Sequence, residues 1–175
     1  GCHLHDVGAS AVAFVGDPAA VRSPLFEYGQ RNEYGAIDRT PGPKTDDYPE
    51  DCLVEDCLIR HVGVVEKQAT GVEISMSLGI TIRHCTICGA SRAGINIGDG
   101  TFGGHVIEFC DVFDTVLETG DHGSFNSWGR DRFWGLKDAP AEELPALARL
   151  DMVRPIVIRN SRWRCDHGWD VDLDD

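Results

Sequence analysis

Four cysteines share one local context, and that recurrence limits the folds open to this chain more than any other feature. Cys2-His-Leu4, Cys57-Leu-Ile59, Cys85-Thr-Ile87 and Cys110-Asp-Val112 each read cysteine, any residue, aliphatic. Ser161-Arg-Trp163 fits the same frame with serine in place of cysteine. Five residues upstream of the later members lie Cys52, Ile80, His105 and Ile156, followed two residues on by Val54, Ile82, Ile107 and Ile158. A pattern that returns in this way is an internal repeat, and it outranks local propensity.

From Cys57 to Ser161 the frame recurs after 28, 25 and 51 residues, and the first interval, from Cys2, is 55. Two stretches lengthen the long intervals. Residues 18–50 are polar and Pro-bearing, and residues 135–150 hold a helix-like run, AEELPALARL. Treated as insert loops, they leave five units of about 25 residues. Short β-branched alternations without a recurring helix predict an all-β chain, a right-handed parallel β-helix (a solenoid) of about five coils. The L-x-x-L-x-L pattern of a leucine-rich repeat is absent. The sequence starts inside a strand-like stretch at Gly1 and stops in mid-pattern at Asp170-Val-Asp-Leu-Asp-Asp175, which reads as an interior fragment of a longer protein.

In such a stack, equivalent residues form columns spaced by roughly 4.8 Å. The cysteine column is expected to be a buried ladder of small free thiols. Seven cysteines also cannot all pair. Cys85-Thr-Ile-Cys88 has C-x-x-C spacing but lies on a strand rather than opening a helix, which argues against redox chemistry. His84 and Cys85 are neighbours on a strand and face opposite ways, which argues against zinc.

A second column carries the candidate chemistry. Gly71-Val-Glu-Ile74, Gly94-Ile-Asn-Ile97, Val116-Leu-Glu-Thr119 and Gly168-Trp-Asp-Val171 align as one recurring strand. Alternation then turns Val72, Ile95, Leu117 and Trp169 inward and Glu73, Asn96, Glu118 and Asp170 outward, with Ala13 in the first unit. Loops follow immediately. The segment from Gly120 to Trp134 gathers Asp121, His122, Asn126, Trp128, Arg130, Asp131 and Arg132. Aromatic faces beside planar polar groups suit a sugar: the ring stacks while amides, carboxylates and guanidinium bind hydroxyls. Paired carboxylates in adjacent coils suit acid/base hydrolysis of a glycosidic bond.

The 16 Lys+Arg stand against 29 Asp+Glu, for a net charge of −13. Such a surface repels phosphate backbones, so a nucleic-acid partner is not expected. No run of about 18 apolar residues is present, so no membrane span is expected. No cofactor is expected, but Asp170, Asp172 and Asp174 form a possible Ca²⁺ site, half matching an EF-hand loop.

These residues resemble a known group. His61-Val-Gly63, Glu66-Lys67-Gln68, Arg92-Ala-Gly-Ile-Asn-Ile97, Asp99-Gly-Thr-Phe-Gly-Gly104, Cys110-Asp-Val-Phe-Asp114, Gly120-Asp-His-Gly123 and Asn126-Ser-Trp-Gly-Arg-Asp131 look like bacterial right-handed parallel β-helix proteins related to glycoside hydrolase family 141. The resemblance covers most of the chain outside the inserts. It implies a pectate-lyase-like fold, α-L-fucosidase or xylanase activity on complex polysaccharide, and an extracellular or periplasmic setting. By resemblance, Asp99, Asp121, Asp131 and Asp172 compete with Glu118 and Asp170 for the catalytic roles. The reading is therefore a monomeric glycoside hydrolase core with Glu118, Asp121 and Asp170 as catalytic candidates. Glu73, Arg92, Asn96, Asp99, His122, Asn126, Trp128, Arg130, Asp131 and Asp172 would bind a poly- or oligosaccharide. The alternatives are a Ca²⁺-dependent polysaccharide lyase and a non-catalytic carbohydrate-binding β-helix.

Overall fold

A computed structural model describes residues 1–23, 30–99, 101–129, 132 and 136–174. Among the described residues the chain is mostly β, with one short α-helix, α1 (Leu144–Asp151), and three single-turn 3-10 helices at Pro18–Ala20, Tyr34–Ala36 and Ala141–Glu143. Its strands are β1 (His3–Val7), β2 (Val12–Val15), β3 (Leu53–Glu55), β4 (Leu58–Val62), β5 (Val72–Ser75), β6 (Thr81–Arg83) and β7 (Thr86–Ala90). They continue with β8 (Ile95–Ile97), β9 (Val106–Glu108), β10 (Asp111–Phe113), β11 (Gly123–Ser127), β12 (Val157–Arg159), β13 (Arg162–Arg164) and β14 (Trp169–Leu173). They form three parallel sheets that the chain visits in strict rotation. Sheet 1 is β1-β4-β7-β10-β13, sheet 2 is β2-β5-β8-β11-β14 and sheet 3 is β3-β6-β9-β12. No helix among the described residues is long and apolar enough to cross a membrane.

The interior follows from strand alternation. Each short strand sends β-branched residues to one side, and in-register pairing stacks them. Val54, Ile82, Ile107 and Ile158 form one rung set in sheet 3, and Ile59, Ile87, Val112 and Trp163 another in sheet 1. Nearly all of these are buried in one continuous core with Val72, Ile74, Ile95, Ile97 and Phe125 of sheet 2. Val and Ile suit such a surface because their branched side chains pack well on a pleat.

The corner from sheet 3 to sheet 1 is two residues long in every coil. Its first residue is left-handed: Asp56, His84, Phe109 or Asn160. Its second is Cys57, Cys85, Cys110 or Ser161. The thiols of Cys57, Cys85 and Cys110 donate to the carbonyls of Glu55, Arg83 and Glu108 at 3.2, 3.2 and 3.3 Å. Ser161 Oγ donates to the Arg159 carbonyl at 3.1 Å, so serine replaces cysteine by doing the same work. The amides of Leu58, Thr86, Asp111 and Arg162 bond to the carbonyls of Cys2, Cys57, Cys85 and Cys110, each at 2.9 Å. The cysteines stack as expected from the sequence and all seven are free, but the column is buried only at Cys85 and Cys110; Cys57 is half-buried and Cys2 exposed.

The corner from sheet 1 to sheet 2 behaves differently. It contains four residues, then nine, four, nine and four in successive coils. The outer face of sheet 3 alternates too. Glu55, Arg83, Glu108 and Arg159 stand in register, with Arg83 Nε 2.6 Å from Glu55 and Arg159 2.8 Å from Glu108.

The expected alignment of sheet 2 needs correction in its last two coils. The observed outward column is Ala13, Glu73, Asn96, Asn126 and Asp172. Glu118 precedes β11, in a nine-residue corner, and Asp170 lies two residues before the aligned Asp172. Leu117 and Trp169, expected inside, are 43% and 50% exposed. The reason is local. The amides of Val116, Leu117 and Glu118 bond to the carbonyls of Arg92, Ala90 and Ser91, folding this stretch back over the previous corner before β11 begins.

The two inserts meet at Arg132, whose guanidinium is almost wholly buried. Its Nε and its backbone amide reach the Asp151 carboxylate at 2.9 and 2.7 Å. The rest of the guanidinium donates to the carbonyls of Asp38, Thr40 and Leu150. It ties residues 38–40 to the end of α1.

Candidate functional site

The outer face of sheet 2 gathers most of the sequence candidates. Its centre is a directed ladder. Glu73 Oε1 accepts from Ser75 Oγ at 3.0 Å and from Asn96 Nδ2 at 2.9 Å, and Glu73 Oε2 accepts from Thr70 Oγ1 at 3.2 Å. Asn96 Oδ1 in turn accepts from Asn126 Nδ2 at 3.1 Å. Asn96 and Asn126 are buried although they point out of the coil. Cover comes from the chain itself. A Cβ on Gly98 would stand 3.1 Å from Ser75 Oγ and 3.4 Å from Glu73 Oε1, so bare backbone lies against the ladder there. Burial pushes the Glu73 carboxyl above the ordinary carboxylate range, against the pull of its three hydrogen bonds.

Arg92 stands at the upstream edge, in the corner before β8. It is 8% exposed, and burial lowers its pKa. Among the described residues its Nε has no hydrogen-bond partner. Its charge acts on Glu73, on Asp172 and on His122. His122 occupies the next corner, with Nδ1 3.3 Å from Thr119 Oγ1. Burial first, then Arg92, holds its pKa down, so it favours the neutral ring.

The far end of the column is acidic. Burial, then Asp174 and Asp121, push the Asp172 carboxyl up, while Arg92 opposes them. Asp121 is an exposed loop residue in the left-handed region, at φ 61°. Val116, in the same corner, is also left-handed at φ 58°, which costs a β-branched residue more than any other kind. Trp128 and Asp99 border the downstream edge. The Trp128 amide bonds to the Ile97 carbonyl at 3.0 Å, and the Asp99 carbonyl accepts from the Met76 amide at 3.0 Å.

The structure therefore brings Glu73, Arg92, Asn96, Asp121, His122, Asn126 and Asp172 into one electrostatic and hydrogen-bonded neighbourhood. It gives other work to two catalytic candidates. Glu118 is exposed and pairs with Lys67 Nζ at 2.7 Å. Asp170 Oδ1 accepts the Cys165 amide at 2.8 Å and closes the corner before β14. Arg130 and Asp131 lie outside the described residues. No group of three or more His, Cys, Asp or Glu side chains gathers as a metal site among the described residues. Thr70 was not singled out from sequence, because a threonine three residues before a glutamate carries no signal of its own. No family model, curated protein or solved structure matches the chain.

Proposed function

We propose that the chain is a right-handed parallel β-helix related to glycoside hydrolase family 141, and that the outer face of sheet 2 hydrolyses a complex polysaccharide. Asp172 is the general acid, protonating the glycosidic oxygen, and Asp121 is the nucleophile or the base that activates water. The observation that carries this is the Asp172 carboxyl, raised by burial first and then by the charges of Asp174 and Asp121, on the outer face of sheet 2. A carboxyl raised in this way suits a general acid. Glu73 is not the second catalytic group. It stands three strand steps from Asp172, roughly 14 Å at the backbone, beyond the roughly 5 to 9.5 Å that glycoside hydrolysis uses. Glu73, Arg92, His122 and Trp128 bind the sugar, and the buried amides Asn96 and Asn126 hold the face in register. Such substrates lie outside the cell or in the periplasm.

The test is a glycan screen followed by kinetics. Asp172→Asn and Asp121→Asn should each lower kcat by about 10²-fold or more, while Glu118→Gln and Asp170→Asn should keep kcat within the same order of magnitude. Full activity in both of the first two variants would refute the assignment. A second reading is a non-catalytic glycan-binding face. That reading expects binding without turnover, kept in all four variants. A Ca²⁺-dependent lyase using Asp170, Asp172 and Asp174 expects an ultraviolet-absorbing unsaturated product that a chelator abolishes.

A further inference from the structure

Three successive corners from sheet 1 to sheet 2 are tied into one unit. The middle corner, residues 91–94, carries Arg92 and is four residues long, whereas residues 63–71 and 114–122 on either side of it have nine each. Both long corners rest on the short one. On one side Ser91 Oγ donates to the Lys67 carbonyl at 2.9 Å, and a Cβ on Gly63 would collide with Ser91 Oγ. On the other the amides of Leu117 and Glu118 reach the carbonyls of Ala90 and Ser91 at 3.2 and 3.1 Å, and Thr119 Oγ1 donates to the Ser91 carbonyl at 3.3 Å. The long corners then meet across the short one. Lys67 Nζ donates to Glu118 Oε1 at 2.7 Å and to the Val64 carbonyl at 3.0 Å.

Residues 114–122 have the anatomy of a closed-neck loop. The neck is Thr115 and Ser124, both buried, with their hydroxyl oxygens 2.8 Å apart. Beyond it Leu117, Glu118, Gly120 and Asp121 are exposed. Backbone strain sits at two points, the left-handed Val116 and Asp121, and a Cβ on Gly120 would meet nothing within 4 Å. The short corner crossed by this loop holds Arg92 buried, with Nε closed to solvent and unpaired among the described residues. Burying a guanidinium nitrogen without a partner is costly, which lowers the cost of uncovering it.

We propose that residues 116–121 are a strap that covers Arg92 and opens, and that the Lys67–Glu118 pair is its latch. An exposed ion pair is weak and salt-sensitive, so it releases without unfolding the coils beneath. Ser91 pins the Lys67 corner, so the moving part is the Glu118 side. Opening gives solutes access to Arg92 and displaces Asp121, which the strap carries. The strap borders the face assigned above to a glycan, but its opening is measured without any ligand, so either reading can fail alone.

Two measurements on the whole protein test the strap. Hydrogen exchange followed by NMR reads the Leu117 and Glu118 amides, with the Thr86 and Val106 amides between core strands as controls. Phenylglyoxal modification with peptide mapping reads Arg92. The strap amides should exchange well ahead of the controls. Glu118→Gln should speed both the Leu117 exchange and the Arg92 modification by about 2- to 5-fold, with the controls unchanged. Sodium chloride at about 1 M should do the same to the wild type and add nothing to the variant. If the strap amides exchange only at the rate of the controls, the corner has no open state and the strap is wrong. If they speed up while Arg92 keeps its wild-type reactivity, the loop moves without covering Arg92, which also overturns it. No change in either readout with the pair broken refutes the latch. The salt series on the wild type decides the matter even where Glu118→Gln does not fold.

Discussion

His105 shows how a single buried side chain makes the fold sensitive to pH. The Ile80 amide donates to its Nδ1 at 3.1 Å, so Nε2 carries the proton and donates to Thr101 Oγ1 at 2.7 Å. Burial first, then Arg154, lowers its pKa from 6.5 to about 4. Above pH 6.5 the folded and unfolded chains both hold a neutral ring, and the contribution to stability is complete. Between pH 6.5 and 4 only the unfolded chain takes the proton, so stability falls as pH falls, by roughly 3 kcal/mol in total. Denaturant melts across this window should show that loss, and His105→Gln should flatten it. Arg132 makes a different kind of claim. Removing one partner of a buried pair strands the other charge, so Arg132→Met should cost about 3–5 kcal/mol. Hydrogen exchange should then accelerate first in residues 38–40 and in α1. The sequence pointed to Arg132 only as one member of a polar loop. Its partner Asp151 gave no signal, because nothing in a 19-residue separation says that two charges meet.

At the scale of elements, what the sequence disclosed depended on how constant each corner is. The sheet 3 to sheet 1 corner is always two residues, so the cysteines, the serine and the isoleucines flanking them keep one spacing and their rungs were legible. The corner before sheet 2 changes length between coils, so Val116-Leu-Glu-Thr119 could imitate a strand that begins at Gly123 instead. The glycines in that frame were real signals with a packing cause. A Cβ on Gly94 would lie 2.3 Å from Val112 Cγ1 and 3.1 Å from the Ser124 carbonyl, with the core behind Val112. Gly94→Ala should therefore destabilise by about 1–3 kcal/mol in thermal or chemical melts. Gly35→Ala, with nothing within 4 Å, should leave the midpoint unchanged.

At the scale of the whole molecule, −13 is a sum that hides local order. Many acids are spent on neighbours, as in Asp111 with Arg162 and Glu55 with Arg83. The sheet 2 face is where acids stand without a matching row of bases. Two features of the stack also share a period of two coils rather than one: the ladder Glu55, Arg83, Glu108, Arg159 and the corner lengths of four and nine. Copying a single coil would set Arg on Arg or Glu on Glu and join two corners of equal length. Copying a pair would preserve both sequences. The chain is thus built to lengthen in steps of two, and a variant with coils β4–β9 duplicated should fold and melt near the original temperature, whereas one with β4–β6 alone duplicated should melt lower.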